Sequence, residues 1–144
     1  MFKSENAFTI IELITVLAIL TLMMGLVLIN MTGIFNLYSL KTNSFQVLSL
    51  LRKVKQLAIS RGHNFGLKLI SSSEIALYED IDTEYFQIIK LDSDIMISHS
   101  RDSKKTEFYP LGNADAGTII LFNKKGNCYL IIISSTGRIR MIKG

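Results

Sequence analysis

The sequence predicts an α+β protein: one long N-terminal helix, transmembrane in its first half and amphipathic in its second, packed on an antiparallel β-sheet. Three observations carry this expectation. An unbroken apolar run extends from Phe8 to Ile29, apolar residues recur at three- and four-residue spacing from Leu37 to Ala58, and short β-branched segments separated by turn residues fill the chain from Phe65 onward. At 144 residues the chain has the length of about one domain, which disfavours a multidomain enzyme. Hydrophobic residues make up 49% and charged residues only 19%, a balance that excludes intrinsic disorder. Sixteen Lys plus Arg against twelve Asp plus Glu leave a net charge of +4, too mild to indicate nucleic acid by itself.

The run from Phe8 to Ile29 carries a single ionisable side chain, Glu12. As a helix it is roughly 33 Å long, enough to cross a hydrocarbon core of about 30 Å. A cleaved secretory signal fits poorly, because such segments have about 7–15 apolar residues and end in a small-x-small site, whereas this run exits through Asn30-Met31-Thr32-Gly33. Lys3 and the α-amino group precede the run and Lys41 is the first cation after it, which favours a cytoplasmic N-terminus with the rest of the chain outside.

Beyond the run no Pro occurs before Arg61, so nothing forces the helix to stop. Leu37, Leu40, Val47, Leu48, Leu51, Val54, Leu57 and Ala58 form one face, and Lys41, Gln46, Arg52, Lys53, Lys55, Gln56 and Ser60 fill the other. One helix from about Phe8 to Arg61 is expected, closed by Gly62 as C-terminal cap with Arg61 in its last turn. Gly25, Gly33 and Asn36 leave open a break into two helices between Asn30 and Asn36. Expected strands are Phe65 to Ile70, Ile75 to Tyr78, Tyr85 to Leu91 and Ile95 to Ile97. An irregular stretch follows, Ser98 to Ala116, with at most one edge strand and the only proline, Pro110. Thr118 to Phe122, Cys128 to Ser134 and Arg138 to Ile142 complete a meander whose reversals hold Gly126 and Gly137. The amphipathic half-helix is the only available cover for one face of such a sheet.

Around the start of the apolar run, Ala7-Phe8-Thr9-Ile10-Ile11-Glu12-Leu13 resembles the processing site of type IV pilins and type II secretion pseudopilins, with Ala7 where that family usually has Gly. The second half is similar to the H-type minor pseudopilins, the GspH/FimT group. Leu51 to Leu69 matches their helix end and first strand, and Phe122 to Arg140 their terminal Phe, Gly and Gly-Arg-x-Arg segment. The resemblance implies that residues 1–7 are a prepilin leader, 8–29 a transmembrane helix and 30–144 a periplasmic pilin-like domain. It further implies that a prepilin peptidase cuts between Ala7 and Phe8 and methylates the Phe8 amine. The product would be an inner-membrane subunit that joins other pseudopilins or pilins in a periplasmic filament for protein secretion, with no catalytic residue, cofactor or metal.

Glu12 has two readings. Thr9 and Glu12 have the spacing of a capping box, which by itself accounts for a carboxylate at a helix start. The family reading pairs Glu12 with the cationic Phe8 amine of a neighbouring subunit, where a compensated charge among packed helices also sets axial register. Arg138 and Arg140 alternate to one side of the last strand and, with Lys143, Lys124 and Lys125, either keep an edge strand soluble or form a basic patch. The FimT branch is associated with DNA uptake through Gly-Arg-x-Arg, here Gly137 to Arg140. DNA is therefore the alternative partner, bound by a few salt-sensitive phosphate contacts.

The acidic turn Glu79-Asp80-Ile81-Asp82-Thr83-Glu84 lacks the Gly and closing Glu of an EF-hand loop and reads as solvated. His63 and His99 are solitary and lack metal spacing. Cys128, in an apolar strand, reads as a buried structural thiol that has no intramolecular disulfide partner. No phosphate-cradling loop or nucleophile elbow is present, so an enzyme is not expected.

Overall fold

The structure, a computed structural model, describes residues 9–80 and 85–144, with side chains throughout except for residues 27–36. The expected leader, the expected cleavage site between Ala7 and Phe8, and residues 81–84 of the acidic turn lie outside the described residues. Helix α1 runs Ile10–Arg61. Eight strands follow: β1 Phe65–Leu69, β2 Glu74–Glu79, β3 Gln87–Lys90, β4 Ile95–His99, β5 Lys105–Phe108, β6 Gly117–Asn123, β7 Cys128–Ile133 and β8 Ile139–Lys143. The chain forms two compact units, residues 1–35 and 36–144.

In the first unit the helix is apolar and open. Ile10, Ile11, Leu13, Ile14, Leu17 and Leu20 all lie exposed. The hydroxyls of Thr15 and Thr21 donate to helix carbonyls, that of Thr15 to Glu12 O at 2.9 Å and that of Thr21 to Ala18 O at 2.9 Å. They therefore make no demand on the surroundings. Among the residues described with their side chains no helix is long and apolar enough to cross a membrane; the apolar run of the sequence also takes in Phe8, Val27, Leu28 and Ile29.

In the second unit the helix is amphipathic as its spacing requires. Leu40, Val47, Leu51, Val54 and Ala58 are fully buried, while Lys41, Arg52 and Lys53 stay in solvent. Gly62 closes the helix at φ 71°, its N–H donating to Ala58 O at 3.1 Å. Arg61 spans the junction, 3.4 Å from the Glu79 carboxylate and stacked 5.7 Å above the Phe65 ring.

Two sheets replace the single expected one. The first has strand order β3-β2-β1-β5 and the second β4-β6-β7-β8, every pairing antiparallel. Phe65, Leu67, Leu69, Ile75 and Leu77 of the first sheet and Ile95, Ile97, Ile119, Leu121 and Ile131 of the second join the helix residues in one buried cluster. The chain changes sheets at Leu91 to Asp94, where the helix holds it. Ser39 Oγ donates to Asp92 Oδ2 at 2.6 Å, Asn43 Nδ2 donates to the same oxygen at 2.8 Å, and Asp92 N–H donates to Asn43 Oδ1 at 3.3 Å. These bonds to its charged form, from Ser39 first and Asn43 second, hold the Asp92 carboxyl below its ordinary range. With Asp92 tied to the helix, β4 pairs with β6 instead of turning back on β3. β5, inside the stretch expected to be mostly irregular, is an edge strand beside β1.

On the outer face of the first sheet, Tyr78, Gly66 and Glu107 stand side by side in register. Any Cβ at position 66 would collide with the Tyr78 ring, so Gly66 makes room for it. Glu107 is 3% exposed and its Oε1 has no hydrogen-bond partner, nor has the Tyr78 hydroxyl. Burial, and after it the Asp115 and Asp80 charges, push the Glu107 carboxyl above its ordinary range against the opposing pull of Lys105. A carboxyl raised in the folded state costs nothing while both states are protonated, and weakens the fold as pH climbs through the folded value. Glu107→Gln is therefore expected to stabilise the protein by about 1–3 kcal/mol at pH 7 and to make little difference near pH 4. Chemical denaturation at the two pH values checks this, and a gap of equal size at both contradicts it.

Candidate functional site

The helix start carries one candidate pair. Thr9 is the N-cap: its Oγ1 accepts from Glu12 N–H at 3.3 Å, and its carbonyl accepts from Glu12 N–H at 3.1 Å and Leu13 N–H at 3.2 Å. This is the hydroxyl half of the expected capping box. Glu12 lies in the first turn with an exposed side chain, flanked by Ile11, Leu13 and Ile14, each more than half exposed. A carboxylate in such a setting is a point of specificity on a surface that otherwise sorts only by shape.

The C-terminal segment carries the other candidates. After β7 the chain reverses through Ser134 to Arg138. Gly137 N–H donates to Ser134 O at 2.9 Å, Ser134 N–H to Arg138 O at 3.0 Å, and Arg138 N–H to Ser134 Oγ at 3.1 Å. Gly137 has φ 72°, and a Cβ there would collide with the Gly112 carbonyl oxygen. Lys55 of the helix donates to Gly137 O at 2.9 Å. The glycine of the Gly-Arg-x-Arg motif is thus required by close packing of three segments, independently of any ligand.

Arg138 and Arg140 are both exposed and line one groove of about 360 Å³ with Ile132, Ser134 and Thr136. The other expected members of a basic patch are elsewhere. Lys143 pairs in register with Tyr129 and sits on the opposite pleat from Arg140. Lys124 and Lys125 occupy the β6–β7 turn at the far end of the strands, Lys124 held by Asp94 at 2.8 Å. Among the described residues two of these cations line the groove, beside Ser134 and Thr136 hydroxyls that bond each other at 2.8 Å. The groove has the chemistry to hold one anionic group.

The remaining candidates are structural. His63 is exposed. His99 is half-buried, its Nδ1 accepting from Arg101 N–H at 2.9 Å while Nε2 lies 2.8 Å from Thr106 Oγ1. Because Nδ1 accepts, the proton is on Nε2 and donates to Thr106. Burial first, and the Arg101 charge second, press the imidazole below its ordinary range and keep it neutral. Cys128, expected to be buried, is only partly so, because its strand position faces outward from the second sheet. Among the described residues no group of three metal-ligating side chains converges.

No protein-family model and no curated protein matches the sequence. Solved structures do. The type IV minor pilin FimU of Pseudomonas aeruginosa superposes with a TM-score of 0.63 at 10% identity, over 72% of this chain and 92% of that one. The minor pseudopilin EpsH from the type 2 secretion system of Vibrio cholerae does so with a TM-score of 0.63 at 13% identity, over 73% and 97%. In fold the chain is a pilin-like α+β protein, similar to these minor pilins and minor pseudopilins.

Proposed function

We propose that the chain is a minor pseudopilin of a type II secretion system. In this reading it is inserted in the inner membrane through Phe8 to Ile29, with its N-terminus in the cytoplasm and residues 30–144 in the periplasm. A prepilin peptidase cuts after Ala7 and methylates Phe8. The subunit then leaves the bilayer for a periplasmic filament of pilins and pseudopilins, and performs no chemistry of its own. The observation that carries the proposal is the fold shared with EpsH and FimU over more than two thirds of the chain. The processing-site sequence and the Thr9-capped helix that places Glu12 in an apolar, exposed surface support it.

Within this reading Glu12 does more than cap. Among the described residues the Glu12 carboxylate makes no bond back to the Thr9 N–H, which leaves it able to meet the Phe8 amine of a neighbour as helices pack. Glu12→Ala removes a charge from the apolar run, so membrane insertion is expected to be unchanged or improved while incorporation into filaments is lost. Fractionation of cells followed by immunoblotting of sheared filaments reads both quantities; unimpaired incorporation of the variant contradicts the pairing role.

A second reading, a minor type IV pilin that takes up DNA, draws on the groove between Arg138 and Arg140. Lys143 faces away from it and Lys124 is neutralised, so few phosphate contacts are available. On this reading the protein retards duplex DNA in a gel at about 50 mM salt and releases it as salt rises, and Arg138→Ala with Arg140→Ala abolishes retardation. No retardation of the parent protein at that salt contradicts it.

A further inference from the structure

The outer face of the second sheet is mostly apolar, with Ser98, Thr118 and Arg140 gathered at the end beside Ile132. Strand β7, Cys-Tyr-Leu-Ile-Ile-Ile, sends Tyr129, Ile131 and Ile133 toward the helix and Cys128, Leu130 and Ile132 away from it. Registers place Met96 beside Phe122, Ile120 beside Leu130, and Leu130 beside Ile142 on that outward side. Ile132 is 38% and Ile142 48% exposed. A strand apolar on both sides is the pattern of a sheet covered on both faces. Four strands about 4.8 Å apart and five to seven residues long give a patch of roughly 300–400 Å², a size at which a surface patch is often functional.

The border of the patch says what chemistry covers it. The groove with Arg138 and Arg140 adjoins Ile132 at one end, and Lys125 stands at the other. β4, β6, β7 and β8 contain no Asp or Glu, and Asp94, just ahead of β4, is already paired with Lys124 at 2.8 Å. A second copy of the chain would bring Arg against Arg, whereas a partner bordered by carboxylates would pair with both guanidiniums. A bilayer fits less well. Peripheral insertion needs side chains that reach about 5–10 Å into the headgroup boundary, but Ile120, Phe122 and Leu130 are half-buried among their neighbours in a pleated surface. Such a surface suits another protein layer about 10 Å away.

We propose that this face docks the globular domain of a different pilin-like subunit, one that offers an apolar surface bordered by Asp or Glu. The proposal rests on the reading of the chain as a filament subunit. A patch this size makes only a weak contact alone, which suffices where helix packing already holds both partners.

The test places photoreactive p-benzoylphenylalanine at Ile132 or Ile142 of the full-length chain in cells that build the filament, with exposed Ser103 as control position. Both test positions are substantially exposed and leave the core untouched. Irradiation is expected to join the first two to another pilin-like subunit and to leave Ser103 unjoined. Arg138→Glu with Arg140→Glu is expected to lower that yield about tenfold while incorporation into the filament persists. Adducts with a second copy, adducts with lipid, or none from a chain that does incorporate overturn the proposed face. A chain that never enters a filament overturns the reading beneath it as well.

Discussion

The domain from Asn36 to Gly144 depends on a single shared wall, the apolar face of α1 from Leu40 to Ala58. Both sheets bury their inner faces in the same cluster with it. Helix and sheets share one apolar cluster, so the hydrophobic gain of each is tied to the others. Polar contacts then position what burial holds. Asp92, clamped by Ser39 and Asn43, sets where the chain leaves the first sheet, and Lys55 fixes the β7–β8 turn through Gly137 O. Each of these bonds joins the helix to a point where the chain changes direction, which is where backbone freedom would otherwise be largest.

Much of this architecture is legible in the residues themselves. The helix end is announced by Gly62, the two hairpins of the second sheet by Gly126 and Gly137, and seven of the eight strands by short apolar or β-branched runs between turn residues. The division into two sheets is not, because it hangs on Asp92 meeting Asn43 across 49 positions of sequence, and no local pattern encodes such a contact. The same limit applies to the basic residues. Five cations near the C-terminus look like one patch on paper, yet strand direction and pleat separate Lys143 and the β6–β7 turn from the two arginines. The outward apolar face had a signal that alternation arguments pass over: β7 does not alternate at all. Cys128 belongs to that face, which is why it is less buried than its apolar neighbours suggest.

The candidate sites divide along physical lines. At the helix start Glu12 is the one charge among the described residues of an otherwise apolar, exposed surface. At the other end of the chain the conformation of Gly-Arg-x-Arg is already demanded by Gly112 and Lys55, which leaves the two arginines as the part of the motif available to a ligand. A pilin-like domain with an apolar outer sheet face and a two-arginine groove is equipped for contact with other macromolecules.

The central claim, that the second half of α1 and both sheets form one cooperative unit, is tested most directly by native-state hydrogen exchange on the full-length protein. The account predicts that amides of Val47, Leu51 and Val54 in the helix, Leu67 in β1 and Leu121 and Ile131 in the second sheet share one opening free energy, equal to that of global unfolding. Helix amides that open about 2 kcal/mol or more below those of the sheets would contradict it.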